Sequence, residues 1–247
     1  MNLRHILLAR KFRSRWNPAE IDWIMANVQP GANVFDVGCH KGDWTYWLHK
    51  AVGKTGHIYS FEPQPTLNAY LTNLFTPSAW ENVTLENIAL TNADSVTKIF
   101  VPGELGSTSS GASLIETTLD YESEVHATEI ATTSLDNYVA KHSIGPVKFL
   151  KIDAKGSEIN ILEGAENLRK NHDPSWIIES ETRQIGEAGV EKLFTIMEAD
   201  GYKGFFFPSG KKTPLAEFSF AKYQRRDFPR FWEHPQYCNN FLFNRKG

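Results

Sequence analysis

An aspartate, two glycines and a glutamate stand at the ends of two short apolar runs early in the chain. Asp36 sits in Val34-Phe35-Asp36-Val37. Gly38 and Gly42 follow, with His40 between them, and Glu62-Pro63 closes the second run. Glycine at a strand end lets backbone approach a ligand with no Cβ in the way. A helix N-terminus just beyond offers unpaired N–H groups, and a carboxylate at the end of the next strand accepts hydrogen bonds from vicinal ribose hydroxyls. The set points to an adenosine-type cofactor. It is not the G-x-G-x-x-G of dinucleotide sites, because His40 stands where the second glycine belongs and its Cβ would crowd a pyrophosphate. Asp36 is costly in an apolar strand end unless a cation or a donor meets it. The ammonium group of S-adenosylmethionine is one such partner; a nearby loop is another.

The elements that must position these residues follow from periodicity. Asn33–Val37 and His57–Phe61 are brief apolar runs bounded by turn signals, as buried parallel strands should be. Between them Trp44, Trp47, Leu48, Ala51 and Val52 mark one face of a helix. Upstream, Asn17 is placed to cap a helix that opens with Pro18 and Glu20 and buries Ile21, Ile24, Met25 and Val28. Downstream, the pattern predicts a helix through Leu67, Leu71 and Leu74, a third strand over 83–90 and an added strand over 96–101. A capping box, Thr133 with Asp136, predicts a helix from Leu135. Strands are predicted over 147–152, 176–178, 202–207 and 240–243, with helices burying Ile161, Leu162, Ala165 and Leu168 and then Val190, Leu193, Phe194 and Met197. Strands alternating with helices mean an α/β sandwich.

The order of several motifs carries more than any one of them. Residues 34–42, Phe61-Glu62-Pro63, Asn87-Ile88-Ala89-Leu90, Thr133-Ser134-Leu135-Asp136 and Lys151-Ile152-Asp153-Ala154-Lys155-Gly156-Ser157-Glu158 follow one another at plausible spacing. Together they resemble the FkbM family of S-adenosylmethionine-dependent methyltransferases, from about Asn33 to Glu181 and more weakly to Phe243. The resemblance implies a Rossmann-like three-layer sandwich with a seven-stranded, mostly parallel sheet whose last strand is antiparallel. It places the adenine near Asn87, Ile88 and Ala89, and favours an oxygen acceptor on a sugar, polysaccharide or natural product. Two positions depart from the family pattern: His40 stands where Asn is common, and Lys155 where Glu is common. A non-catalytic partner-binding module on the same fold and an NAD-dependent oxidoreductase are the rival readings.

Ligands of an open α/β sheet sit beyond the carboxyl ends of the strands, where Asp36, Glu62, Asn87, Asp153 and Glu181 fall. Asp153 is the first candidate for the base that takes a proton from an acceptor alcohol and a neighbour of the transferred methyl; Glu181 and His40 are the alternatives. Lys155 is suited to an anionic acceptor or a developing alkoxide. Asp153 with Glu179 or Glu181 would offer hard oxygen donors to Mg²⁺, but no spacing is diagnostic and no metal is expected. The small, polar stretch 103–113, with the acidic residues up to Glu129, interrupts the α/β alternation and is expected to cover the acceptor site.

Bulk properties narrow the classes. The chain has 247 residues, 41% of them hydrophobic, and a net charge of −3. That is ample for a core and argues against general nucleic-acid binding. Residues 1–32 read as a basic segment and helix packed on the core, and 33–247 as the methyltransferase domain. Segment 1–16 holds Arg4, Arg10, Lys11, Arg13 and Arg15 without an acid, a pattern met at membrane surfaces and on solvated helices alike. No run reaches the roughly 20 apolar residues of a membrane span. Cys39 and Cys238 read as thiols of a reducing cytoplasm. The expected partner is a small-molecule or glycan acceptor, with a homo-oligomer left open.

Overall fold

The computed structural model describes residues 3–75, 80–116 and 124–245. In chain order its strands are β1 (Asn33–Val37), β2 (His57–Phe61), β3 (Val83–Glu86), β4 (Ala89–Thr91), β5 (Ser95–Pro102), β6 (Val125–Ser134), β7 (Val147–Ile152), β8 (Ser175–Glu179), β9 (Lys203–Phe206), β10 (Thr213–Pro214) and β11 (Asn240–Asn244). The α-helices are α1 (Leu3–Arg15), α2 (Pro18–Asn27), α3 (Asp43–Val52), α4 (Pro65–Phe75), α5 (Leu135–Lys141), α6 (Glu158–Glu163), α7 (Thr182–Ala199) and α8 (Phe220–Tyr223).

The fold is α/β, with a mixed sheet in the order β10-β9-β11-β8-β7-β1-β2-β3. Pairings from β3 through β8 are parallel, and β11 runs antiparallel to both β8 and β9. Successive side chains of a strand leave opposite faces, and both faces are buried. Phe35, Val37, Leu150, Ile152, Trp176 and Ile178 join the core on one side; Val34, Ile58, Phe149, Ile177 and Leu242 join the core on the other, with Ile21, Ile24, Trp47 and Leu48.

Several expectations are corrected. The main sheet has eight strands rather than seven, because Thr213–Pro214 pairs with β9 at the edge. A second sheet of three strands, β4-β6-β5, was not anticipated. The strand expected over 83–90 divides: β3 pairs with β2, whereas β4 leaves to pair with β6. The break falls at Asn87, whose side-chain amide donates to the carbonyls of Glu62 (2.8 Å) and Pro63 (3.1 Å). Apolar residues stand on both sides of the break (Val83 and Leu85, then Ala89 and Leu90), so composition hides it. The ten-residue β6 continues to the start of α5, and the cap of α5 is Ser134, whose Oγ accepts from the Asn137 N–H at 3.1 Å. Thr133 instead donates to Asp94 (2.5 Å), and Asp136 accepts from the N–H groups of Asn167 and Leu168. Asn17 precedes α2 but makes no side-chain cap; its Oδ1 accepts from Asn240. Residues 117–123 of the acidic stretch lie outside the described residues.

The carboxyl ends of β1 and β7 approach unusually closely. The Asp153 N–H donates to the Val37 carbonyl at 3.0 Å, and Gly38 takes a φ of +74°. A Cβ on Gly38 would lie 2.0 Å from the Asp153 carbonyl oxygen. Gly38 was read as making room for a ligand; the neighbouring strand also demands it. Gly38→Ala should therefore cost more than about 1 kcal/mol of stability through the disfavoured φ alone, with backbone displacement adding to it. Urea unfolding measures this, and an unchanged midpoint would show that the two strand ends separate freely.

Candidate functional site

The carboxyl ends of β1, β2 and β7, with β4 and β5 of the second sheet, enclose a cavity of about 200 Å³. Gly38, His40, Glu62, Pro63, Ile88, Ala89, Asp153 and Lys155 line it. Most residues singled out in the sequence thus converge, although they come from loops far apart in the chain.

Glu62 is the hub. It is 2% exposed, and its two carboxylate oxygens each accept one backbone N–H, from His40 at 2.8 Å and from Gln64 at 2.9 Å. Each oxygen keeps lone-pair capacity, so two further donors, such as the hydroxyls of a ribose, fit the same group. Burial pushes its carboxyl up to about 8 against the pull of the two N–H bonds. His40 reaches its place with φ at +49°. Its ring Nε2 lies 3.1 Å from the Thr108 carbonyl; a carbonyl only accepts, so this nitrogen carries the proton and Nδ1 keeps the lone pair. Burial lowers the imidazole's pKa. Gln64 donates through its side chain to the Ser109 carbonyl at 3.1 Å, and Ser113 Oγ donates to the Lys155 carbonyl at 2.7 Å. Segment 107–113 is thereby fastened over the cavity at three points, and Ser110, Ala112 and Ser113 form part of its wall.

At the β7 end, Lys155 (φ +45°) forms ion pairs with Asp153 at 2.6 Å and with Glu179. Burial opposes the charge of Asp153, but Lys155 and Lys151 outweigh it and hold that carboxyl below the usual aspartate range. Glu179, buried and repelled by Asp153, is pushed up. Glu158 accepts the N–H groups of Ala154 and Gly156 and shapes this loop from within; burial raises its carboxyl to about 7.

Four of the expected site residues lie apart from the cavity wall. Asp36 is fully buried and shares the α3-facing side of the sheet with Val34, where its Oδ2 accepts from Thr45 at 2.5 Å. Its Oδ1 has no hydrogen-bond partner among the described residues, and burial raises its carboxyl to about 7. Strand alternation, with Phe35 and Val37 on the opposite face, explains the direction. Gly42 opens α3 with φ +80°, and a Cβ there would press on Leu71 and Phe75 of α4. Asn87 braces the loop after β2, as above. Glu181 is bonded by Arg183 (2.7 Å), Tyr237 (2.6 Å) and Asn239 (3.2 Å); burial opposes its charge, but Arg183 prevails and lowers its pKa. Other wall residues were not named as site candidates: Phe12 of α1, Cys39, Trp44, Gln64 and Ile99. Gln64, next to Glu62-Pro63, was the most legible of these.

A family model for the methyltransferase FkbM domain matches residues 36–203. The chain belongs to the FkbM methyltransferase family. A curated relative, ribosomal RNA large subunit methyltransferase E of Buchnera aphidicola subsp. Schizaphis graminum (strain Sg), is 29% identical over 109 residues, covering 43% of this chain and 52% of the relative. A solved FkbM methyltransferase from Methylobacillus flagellatus KT aligns with a TM-score of 0.53 at 13% identity, over 97% of this chain and 59% of the other. An O-methyltransferase from Bacillus cereus in complex with SAH also aligns at 0.53, with 11% identity, over 98% and 90%. The chain thus spans somewhat more than half the length of the curated relative and of the solved FkbM structure, and the structural likenesses show the fold. Among the described residues no His, Cys, Asp and Glu cluster that could hold a metal ion is present.

The raised carboxyls of this FkbM chain set a pH dependence. Asp36, Glu158, Glu20 and Glu179 (about 7) and Glu62 (about 8) keep their protons in the folded state at pH values where the unfolded chain has lost them. Each therefore stabilises the fold fully only below about pH 4 and loses that contribution as pH rises through its folded value. The lowered histidines, His5 and His40, act oppositely below about pH 6.5. Ligand-free protein should lose on the order of 4 kcal/mol between about pH 6.5 and 8.5. Urea titrations across that range measure it, and Glu62→Gln should flatten the upper part of the curve.

Proposed function

We propose that the chain is an S-adenosylmethionine-dependent methyltransferase that methylates an oxygen atom of a sugar, polysaccharide or natural-product acceptor. The observation that supports this most directly is the Glu62 carboxylate, fixed by two backbone N–H groups in the wall of a cavity at the strand ends, in a chain of the FkbM family. Glu62 would hold the ribose hydroxyls, Ile88 and Ala89 the adenine, and the loop from Gly38 to His40 the amino-acid end. Bound S-adenosylmethionine supplies a methyl group on a sulfonium that is open to in-line displacement.

The chain's own residues then have three tasks. They exclude water, through segment 107–113 and the apolar wall of Trp44, Phe61 and Ile99. They orient the acceptor, and positioning accounts for much of such a rate: Lys155 has used two of its three N–H donors on Asp153 and Glu179, and the third is available to an acceptor oxygen. Lastly, they take the proton that an alcohol loses as it is methylated. Asp153 and His40 both line the cavity. The ion pair with Lys155 weakens Asp153 as a base, whereas the hydrogen bond to Thr108 leaves a lone pair on His40 Nδ1.

Calorimetric titration with S-adenosylmethionine and S-adenosylhomocysteine, with NAD as control, tests the reading. Binding of the two adenosyl ligands and not of NAD is the expected result; the reverse would make the protein an oxidoreductase, and silence from all three would leave a non-catalytic module. Glu62→Ala should weaken the adenosyl ligands by roughly 1.5–3 kcal/mol, the range for hydrogen bonds to a charged group. Wild-type affinity in that variant would remove Glu62 from the ribose.

The two bases separate kinetically once an acceptor has been found. If His40 takes the proton, turnover falls as the imidazole is protonated, and His40→Asn abolishes that limb of the pH profile. If the limb persists in His40→Asn and Asp153→Asn removes turnover at unchanged cofactor affinity, the base is Asp153.

A further inference from the structure

Helix α1 contributes to the cavity through one face only. His5 and Ala9 are buried, Trp47 Nε1 donates to the Ala9 carbonyl at 3.0 Å, Phe12 packs edge-on against Trp44, and Arg13 donates to Asp22 of α2 at 3.0 Å while lying over the Trp47 ring. These contacts anchor the helix through its inner face; of the outward residues, Arg15 also pairs with Glu233 at 3.5 Å, at the C-terminal end.

The outer face is unusual in two ways at once. Leu3, Leu7 and Leu8 are 69%, 56% and 45% exposed; Leu3 and Leu7 lie one helical turn apart, and Leu8 widens the apolar surface beside Leu7. Beyond them, toward the C-terminal end, the exposed residues are Arg10, Lys11, Ser14 and Arg15. No acid lies anywhere in the helix, and all 29 acidic residues of the chain lie beyond it, although the net charge is −3. This helix thus carries five cations and no acid, whereas the rest of the chain carries 21 Lys and Arg against 29 Asp and Glu. Trp16 follows at the end of α1, 40% exposed, with the Arg15 guanidinium 5.0 Å from its ring centre. A solvated helix explains the cations but not three outward leucines. An acidic surface with an apolar layer beneath it matches both, and an anionic bilayer is such a surface.

We propose that α1 is a peripheral docking helix for an anionic lipid bilayer, laying Leu3, Leu7 and Leu8 into the acyl boundary and Arg10, Lys11 and Arg15 among the headgroups. The occupant is the bilayer rather than another protein because leucine side chains need depth and the cations need a diffuse negative field, with no groove or shape complementarity required. No helix among the described residues is long and apolar enough to cross a membrane, so the association is with the surface. It is independent of the methyl-transfer reading: the outward side chains touch neither the cavity nor its loops.

Co-sedimentation of the full chain with vesicles of equal parts phosphatidylglycerol and phosphatidylcholine tests the proposal, with pure phosphatidylcholine vesicles alongside. The expected result is binding to the mixed vesicles, weakened by high salt and much weaker on the neutral ones. Leu7→Glu with Leu8→Glu should lower the partition at least about tenfold, and Lys11→Glu about fivefold or more. Both variants should keep the wild-type melting curve and adenosyl-ligand titration, since the face they alter makes no contact with the core. Absence of binding to mixed vesicles overturns the proposal. So does binding that the leucine changes leave intact, which would be adsorption by charge alone. So does a dimer in sedimentation velocity that those changes dissolve, which would make the leucine strip an interface between copies of this chain.

Discussion

A single buried carboxylate ties the functional end of this molecule together. Glu62 receives the backbone N–H of His40 on one oxygen and that of Gln64 on the other, while its carbonyl accepts the Asn87 amide from the break between β3 and β4. The loops after three adjacent strands are thereby locked to one residue. The same two residues whose N–H groups Glu62 holds reach out through their side chains to the Thr108 and Ser109 carbonyls. Two of the three points that hold segment 107–113 over the cavity are thus set by the carboxylate beneath it; the third is Ser113 on the Lys155 carbonyl. A ligand bonding to Glu62 would stiffen the cover through backbone already in place, at little cost in reorganisation.

Charge at the site is managed in two different ways. At the β2 end, carboxyls are buried without cations in contact and respond by rising in pKa, which favours the neutral form until donors arrive. At the β7 end, Lys155 stands between Asp153 and Glu179 and holds Asp153 ionised, while burial and the Asp153 charge still push Glu179 up. Where the family resemblance implies a third carboxyl, Lys155 sets a cation beside the proposed acceptor region. That cation leaves Asp153 ionised and pre-oriented but a weaker base. It also places a donor where an acceptor oxygen would gain charge.

The second sheet is the main departure from a simple alternation of strands and helices. Ala89, Ile99, Val101 and Ile130 form its small core with Ala112 and Leu114, and Ala89, Ile99, Ala112 and Leu114 line the cavity. The insertion is therefore a built wall as well as a loop. Ile88 and Ala89 are carried to the cavity because the chain leaves the main sheet after Glu86, at the position where an unbroken third strand would have continued past it.

The sequence alone determined what depends on local periodicity and on residue chemistry. The strand, glycine loop, helix and strand from 33 to 61 were legible because buried strands and amphipathic helices impose short repeats. Glu62 was legible because a carboxylate at that strand end has a specific use. Even the direction of Asp36 lay within reach, since alternation with Phe35 and Val37 puts it on the other face. Tertiary structure alone decided the pairings of His40 with Thr108, Gln64 with Ser109 and Lys155 with Glu179, the use of Gly38 against the Asp153 carbonyl, and the place of Phe12 in the wall. Each of these joins residues that are remote in the chain and adjacent only after the strands choose their neighbours. That choice comes from the burial of two whole faces at once, a property of the assembled sheet that no single stretch of sequence carries.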